Sequence, residues 1–170
     1  MASIIGVNEI QHTNGTSAAT VATDGTLSST GHVIQVVNGT YSTSTSISST
    51  TKGSGTSTGL TATITPKSTS NKLLLTGTIV FGCGYLTDPA LSIEIYDGTN
   101  VVFQQEQWGR YFNGDGNEAY SWTHAIHAFI DAPSTNATTY TVRAYRGAAG
   151  NINAQDGGTT SFLTIMEIAG

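Results

Sequence analysis

The sequence predicts an all-β fold, a jelly-roll-type β-sandwich head with an extended N-terminal arm. Three observations carry this expectation. The chain is rich in Ser, Thr and Gly, and only 10% of its residues are charged, where about 25% is ordinary. β-branched Thr favours strands, and the Glu and Lys that fill long helices are scarce. The apolar residues, 38% of the total, fall in short runs that alternate with polar ones, the two-residue period of a strand. Turn signals separate these runs at intervals that suit a sandwich of about eight or nine strands. Eight strands in two packed sheets make a jelly roll.

Residues 1–31 stand apart from the rest. Ile4, Ile5, Val7 and Ile10 are their main apolar cluster, and Asn14-Gly15 and Asp24-Gly25 signal turns. The segment reads as an arm with short strands and no core of its own, which docks on something else. The head occupies residues 32–170. His32 to Val37 reads as its first strand, followed by a turn at Asn38-Gly39. In the uncharged run Thr40 to Thr51, residues Tyr41, Thr43, Thr45 and Ile47 can line one face. Lys52 to Ser57 reads as a loop, and Leu60 to Ile64 as a strand that ends at Pro66.

Lys72 to Cys83 places Leu73, Leu75, Ile79, Phe81 and Cys83 on one face, with Leu74 and Val80 on the other. A strand apolar on both sides is covered on both sides. Leu91, Ile93 and Ile95 alternate with Ser92, Glu94 and Tyr96 in the manner of a half-buried strand. Asp97-Gly98 is a hairpin signal that returns the chain through Val101 to Trp108. Ala119 to Ile130, Thr138 to Arg146 and Thr160 to Ile168 complete the set. Several outer faces read as apolar, as where Phe162, Met166 and Ile168 oppose Leu163 and Ile165. One outer face is therefore expected to pack against copies of the chain, as a homotrimer. Glu94 and Glu167, which alternate with apolar residues, are expected to face solvent or a neighbouring chain.

Composition also excludes function classes. The formal net charge is -5 with 6 Lys and Arg, and no cation cluster suits a phosphate backbone, so no nucleic-acid partner is expected. No apolar run approaches the ~20 residues that cross a bilayer, and Met1 to Thr13 lacks a signal-peptide pattern. The single cysteine, Cys83, rules out an internal disulfide framework and reads as a small buried residue. His124 and His127 lie three apart in a strand, so they point to opposite faces and do not share a metal. Asn113 to Glu118 alternates oxygen ligands as calcium loops do, yet it is too short for an EF-hand, and an interstrand loop explains the same residues. Neither metal nor cofactor is expected. No carboxylate pair is spaced for glycoside hydrolysis and no loop has the phosphate-cradling form. The chain is expected not to be an enzyme. Trp108, Tyr111 and Phe112 precede the Asn113 loop, and Tyr120 and Trp122 follow it. Such aromatics can stack on sugar rings; the competing reading puts them in the core or in a trimer seam.

Certain blocks carry a family resemblance. His32-Val33-Ile34-Gln35-Val36-Val37 with Gly39-Thr40-Tyr41-Ser42-Thr43, then Gly59-Leu60-Thr61-Ala62-Thr63-Ile64-Thr65-Pro66, resemble segments of structural proteins of marine and cyanobacterial tailed phages. Ser68-Thr69-Ser70-Asn71-Lys72-Leu73-Leu74, Pro133 to Tyr140 and the closing Leu163-Thr164-Ile165-Met166-Glu167-Ile168-Ala169-Gly170 fit the same pattern, which covers residues 32–170. The opening Ser3-Ile4-Ile5 and Glu9-Ile10-Gln11 resemble the arms of such proteins. The resemblance implies a protein of the virion surface: a trimeric capsid decoration or short-fibre protein attached to other virion proteins through Ile4, Ile5, Val7 and Ile10. The alternative it leaves open is a tail-fibre tip that recognises a host surface glycan through Trp108, Tyr111, Tyr120 and Trp122. It transfers no active-site residues.

Overall fold

The alternation of apolar and polar residues becomes a stack of antiparallel strands. The computed structural model describes residues 7–15, 17–21, 27–84, 91–107, 119–147 and 151–170. In chain order the strands are β1 (Glu9–Gln11), β2 (Ser17–Val21), β3 (Leu27–Ser28), β4 (Val33–Tyr41), β5 (Thr45–Ile47), β6 (Thr56–Ile64) and β7 (Lys72–Gly84). They continue with β8 (Leu91–Tyr96), β9 (Val101–Gln107), β10 (Ala119–Asp131), β11 (Thr138–Arg146), β12 (Asn151–Ala154) and β13 (Ser161–Ile168). Among the described residues the one helical element is the 3-10 turn Asp156–Gly158.

Eight long strands build the head in two antiparallel sheets. One runs β4-β13-β7-β10 and the other β6-β11-β8-β9. Counted along the head, the first, eighth, third and sixth long strands share one sheet, and the second, seventh, fourth and fifth share the other. That order is the paired Greek key of a jelly roll. The short β12 takes over the edge of β7 at Phe81–Gly84, beyond the stretch Lys72–Thr78 that pairs with β13, and β5 adds to β12.

The core lies between the sheets. Strand β7 contributes Leu73, Leu75, Ile79, Phe81 and Cys83, all buried as the alternation predicts. Ile126 and Ala128 of β10, Leu163 and Ile165 of β13, Leu91, Ile93 and Ile95 of β8, and Tyr140, Val142 and Ala144 of β11 meet them. Asp97-Gly98 forms the expected turn: Gly98 has φ 98, and the Asp97 carboxylate accepts hydrogen bonds from the backbone N–H of Thr99 and Asn100. The turn at Asn14-Gly15 also forms, with Gly15 at φ 81.

Four expectations are corrected. Asn38-Gly39 is not a turn but the middle of β4. Glycine is needed there for close approach, since a Cβ would lie 1.7 Å from the Thr61 carbonyl oxygen of β6 in the facing sheet. Strand β8 is buried on both faces, Ser92 and Glu94 included, because the loop before β6 folds over its outer side. Glu94 and Glu167 face neither solvent nor another chain; both are 0% exposed. Strand β12 lies in a stretch that the alternation did not mark as a strand.

Residues 7–31 carry β1, β2 and β3, which form a separate three-stranded sheet. Val7 and Ile10 are exposed there. The backbone enters the head where Gly31 N–H donates to the Ala169 carbonyl and Ala169 N–H donates to that of His32.

Two stability outcomes follow from the packing. Leu75→Ala leaves a hole among fully buried neighbours and should cost about 2–5 kcal/mol, read as a lower urea midpoint at unchanged slope. Gly39→Ala drives a methyl group into the β6 backbone and should cost about 1–3 kcal/mol, whereas Thr40→Ala, at the exposed next position of the same strand, should cost less. Equal losses at the two positions would refute the close-approach role of Gly39.

Candidate functional site

Catalysis needs titratable groups that substrate can reach, so the buried ones come first. Glu167 sits on the inward side of β13, at the end of the sandwich closed by the loop between β6 and β7. Its Oε1 accepts from Lys67 N–H at 2.7 Å and Asn71 Nδ2 at 2.6 Å, and its Oε2 accepts from Gln35 Nε2 at 2.5 Å. Burial pushes this carboxyl up, but hydrogen bonds from Asn71, Gln35 and the backbone of Lys67 and Ser68 outweigh it and hold the group below its ordinary value of 4.5. Gln35 Nε2 also donates to the Thr65 carbonyl. Asn71 accepts from Gly170 N–H through Oδ1, and its carbonyl accepts from Ala132 N–H. One carboxylate thus gathers β4, the β6–β7 loop and the last strand, and Asn71 adds the chain terminus and the β10–β11 loop.

Glu94 plays the matching part on the outer side of the second sheet. Its carboxylate accepts from Gly53 N–H at 2.5 Å, Gly55 N–H at 3.0 Å and Gln104 Nε2 at 3.3 Å. Gln104 Nε2 also donates to Tyr145 Oη. The loop over Glu94 is further held by an ion pair between Lys52 and Glu106. Both buried acids are therefore fully engaged in holding loops. The signal for Glu167 was present in the sequence, because it continues the inward parity of Leu163 and Ile165.

His124 and His127 do face opposite sides: His124 is 3% exposed, and His127 is exposed. The His124 ring meets the Phe81 ring edge-on at 6.3 Å. Burial lowers its basicity below the ordinary 6.5. Tyr140 is likewise buried, and burial with the nearby Asp97 raises its phenol to about 12. No group of three His, Cys, Asp or Glu among the described residues could hold a metal. Of the aromatic set, Trp108, Tyr111 and the Asn113 to Glu118 loop lie outside the described residues, and Tyr120 is described only as backbone in β10. Trp122 is half-buried and leans on Phe81 at 6.0 Å between ring centroids. Ile4 and Ile5 of the arm also lie outside the described residues.

The surface feature that stands out is the outer face of the β4-β13-β7-β10 sheet. Strand register aligns its side chains in rows across all four strands. Met166 stands opposite Val36 on one side and Leu74 on the other, and Leu74 stands opposite Phe129. Phe129 is 60% exposed and Val36 55% exposed. The next row is Asn38, Thr164, Thr76 and His127, and the one after it is Thr40, Phe162, Thr78 and Ala125. Phe162 is 41% exposed. A bulky apolar ridge thus runs beside a lower polar trough. Lys72 pairs with Asp131 at one border. At the other, Asp156 lies over Gly82 and accepts from Ser121 Oγ. The outer face of the second sheet is different in kind: it carries Thr61, Thr63, Thr139, the Glu94 loop, and Arg143 stacked 3.3 Å over the Tyr96 ring.

No protein-family model matches the chain, and no curated protein matches it in sequence. Among solved structures, 98% of the chain is similar to part of a chain in the structure of infectious bursal disease virus, Gx strain, at 14% identity and a TM-score of 0.50. The chain spans 37% of the length of that viral chain. Eiger TNF from S. frugiperda is similar over 79% of this chain and 92% of its own, at 10% identity and a TM-score of 0.43. At 14% identity the likeness to the viral chain is one of fold.

Two of the perturbed buried groups, His124 and Glu167, make stability depend on pH in separate windows below neutrality. The unfolded chain takes up a proton at His124 below about pH 6.5, while the folded protein resists it. Stability is therefore full above that pH and falls as the pH drops. Glu167, lowered when folded, adds stability that is present above 4.5 and is lost as the pH falls through its folded value. Urea midpoints measured from pH 8 downward (roughly the upper end of ordinary stability) should decline in two stages. His124→Gln should remove the first stage. Glu167→Gln should remove the second and lower the plateau by about 1–3 kcal/mol. A wild-type profile that is flat across both windows would contradict the assignment.

Proposed function

We propose that this chain is a structural protein of a bacteriophage particle, a trimeric capsid decoration or short-fibre protein on the virion surface that performs no catalysis. The observation that carries the reading is the division between a jelly-roll head and an N-terminal sheet that leaves apolar side chains uncovered. Strands β1 to β3 hydrogen-bond in a sheet of their own, and Val7 and Ile10 remain exposed. Such a segment gains by docking. An extended arm can add main-chain hydrogen bonds at a neighbour's sheet edge, with apolar anchors filling pockets beside it. Residues 1–31 are the attachment device in this reading, with Ile4, Ile5, Val7 and Ile10 as anchors on another virion protein.

The head supports the same role. A jelly roll is a shell-building architecture, and the fold likeness to a chain of a virus structure is in keeping with it. Glu94 and Glu167, the two fully buried acids, are spent on holding loops. A tail-fibre tip that binds a host glycan would need the aromatics around residues 108–122 to be open to a sugar. Trp122, the one whose side chain is described, is half-buried against Phe81.

Deleting residues 1–12 should abolish binding of the protein to particles that lack it, while the head keeps its β-type circular-dichroism spectrum. Undiminished binding by the truncated protein would discard the anchoring role. Saturable binding to host cells that is lost in Trp108→Ala would favour the adhesin reading in its place.

A further inference from the structure

We infer that the outer face of the β4-β13-β7-β10 sheet is where copies of this chain meet, with the ridge Val36, Met166, Leu74 and Phe129 as its centre. The inference rests on the trimeric reading above and assigns it a surface.

Three properties of the face select a second copy as its occupant. The first is charge. The chain carries a formal net charge of -5, so two copies brought together at random set acid against acid. This face escapes that cost. Its rows from Val36 to Phe129 and from Thr40 to Ala125 hold no acid or cation, and the row between them holds a single titratable group, His127. At its borders Lys72 is paired with Asp131, while Asp156 accepts from Ser121 and keeps its charge at the rim. A partner chosen for opposite charge would find no charged group in these two rows, whereas the uncharged rows of a second copy can be desolvated against them.

The second property is shape. Rows on one face of a strand are spaced by two residues, about 7 Å, and here a ridge of large side chains lies one row from a trough of Asn38, Thr164 and Thr76. Placed head to tail, the ridge of one copy can seat in the trough of the next, and three such contacts close a ring. The third is area. Four strands about 4.8 Å apart and some eight residues long span about 500 Å² in projection. That is less than the roughly 800 Å² per partner of a standard interface, and in a ring it is divided between two neighbours, so the face is the centre of a contact that extends past its edges.

The topology adds a reason to cover this face. Strand β10 pairs with β7 over its whole length, and no described strand pairs with its other edge. A long edge with no described partner, beside the exposed Phe129, is a hazard for aggregation unless something closes over it. Closing it with further copies in a ring leaves no copy with an open face.

The test compares the wild type with Val36→Lys/Phe129→Lys, using two exposed positions that a single folded chain tolerates, and with Thr139→Lys on the exposed part of the opposite sheet. Light scattering on the full-length proteins should show the wild type and Thr139→Lys at three times the chain mass. Val36→Lys/Phe129→Lys should fall to 17.6 kDa with its circular-dichroism spectrum retained. If the wild type is trimeric and the double variant stays so, the face is wrongly assigned while the trimer stands. A wild type of single-chain mass overturns both and leaves the face to another virion protein. Should the double variant not fold, Asn38→Cys gives an independent reading from the trough. A short bismaleimide linker should join chains through that cysteine and not through Thr139→Cys, and the reverse pattern would overturn the inference.

Discussion

The constraint on which the head depends is that β7 must be satisfied on both edges and on its inner face at once. Its thirteen residues pair with β10 along one edge, and with β13 and then β12 along the other. Its inward side chains form the floor of the core. A strand so placed cannot slip, because a shift of one residue would send Leu73, Leu75, Ile79 and Phe81 outward. The neighbours inherit their register from it. The rows on the outer face are straight because β13 and β10 are both set against the same strand.

Packing alone leaves the ends of a sandwich open, and here a buried carboxylate closes one of them. Glu167 draws Gln35, Lys67 and Asn71 to one oxygen pair. A buried charge is costly unless several donors meet it, and here three meet it at short range. The side chains involved, Gln35, Asn71 and Glu167, come from segments far apart in the sequence, and all of them serve one junction where three separated parts of the chain must meet.

The two outer faces show how one fold can present two kinds of surface. On the β6-β11-β8-β9 side, Glu94 recruits the glycine-rich loop, so part of that face is covered from within the chain, and the rest is threonine and stacked Arg143. On the β4-β13-β7-β10 side no comparable loop among the described residues folds back over the ridge, and the large apolar side chains of Val36, Phe129 and Phe162 are exposed. Apolar area left uncovered on one side and polar cover on the other give the two faces different chemistry.

The sequence by itself determined the β class, the placement of most long strands and the parity of their core side chains, because a period of two residues is a local property of the chain. Thr138–Arg146 was legible to the residue, and the inward set of β7 was legible from its alternation alone. It could not determine what covers the second face of a strand. Glu94 reads as solvent-facing until a loop some forty residues earlier folds over it, and Asn38-Gly39 reads as a turn until β6 is seen to press against it. Nor did it show that Val36, Met166, Leu74 and Phe129 stand in one row. Those four residues are scattered along most of the chain and are brought into line only by strand pairing. Local periodicity fixes which side of a strand a residue occupies; only the tertiary arrangement decides what that side meets.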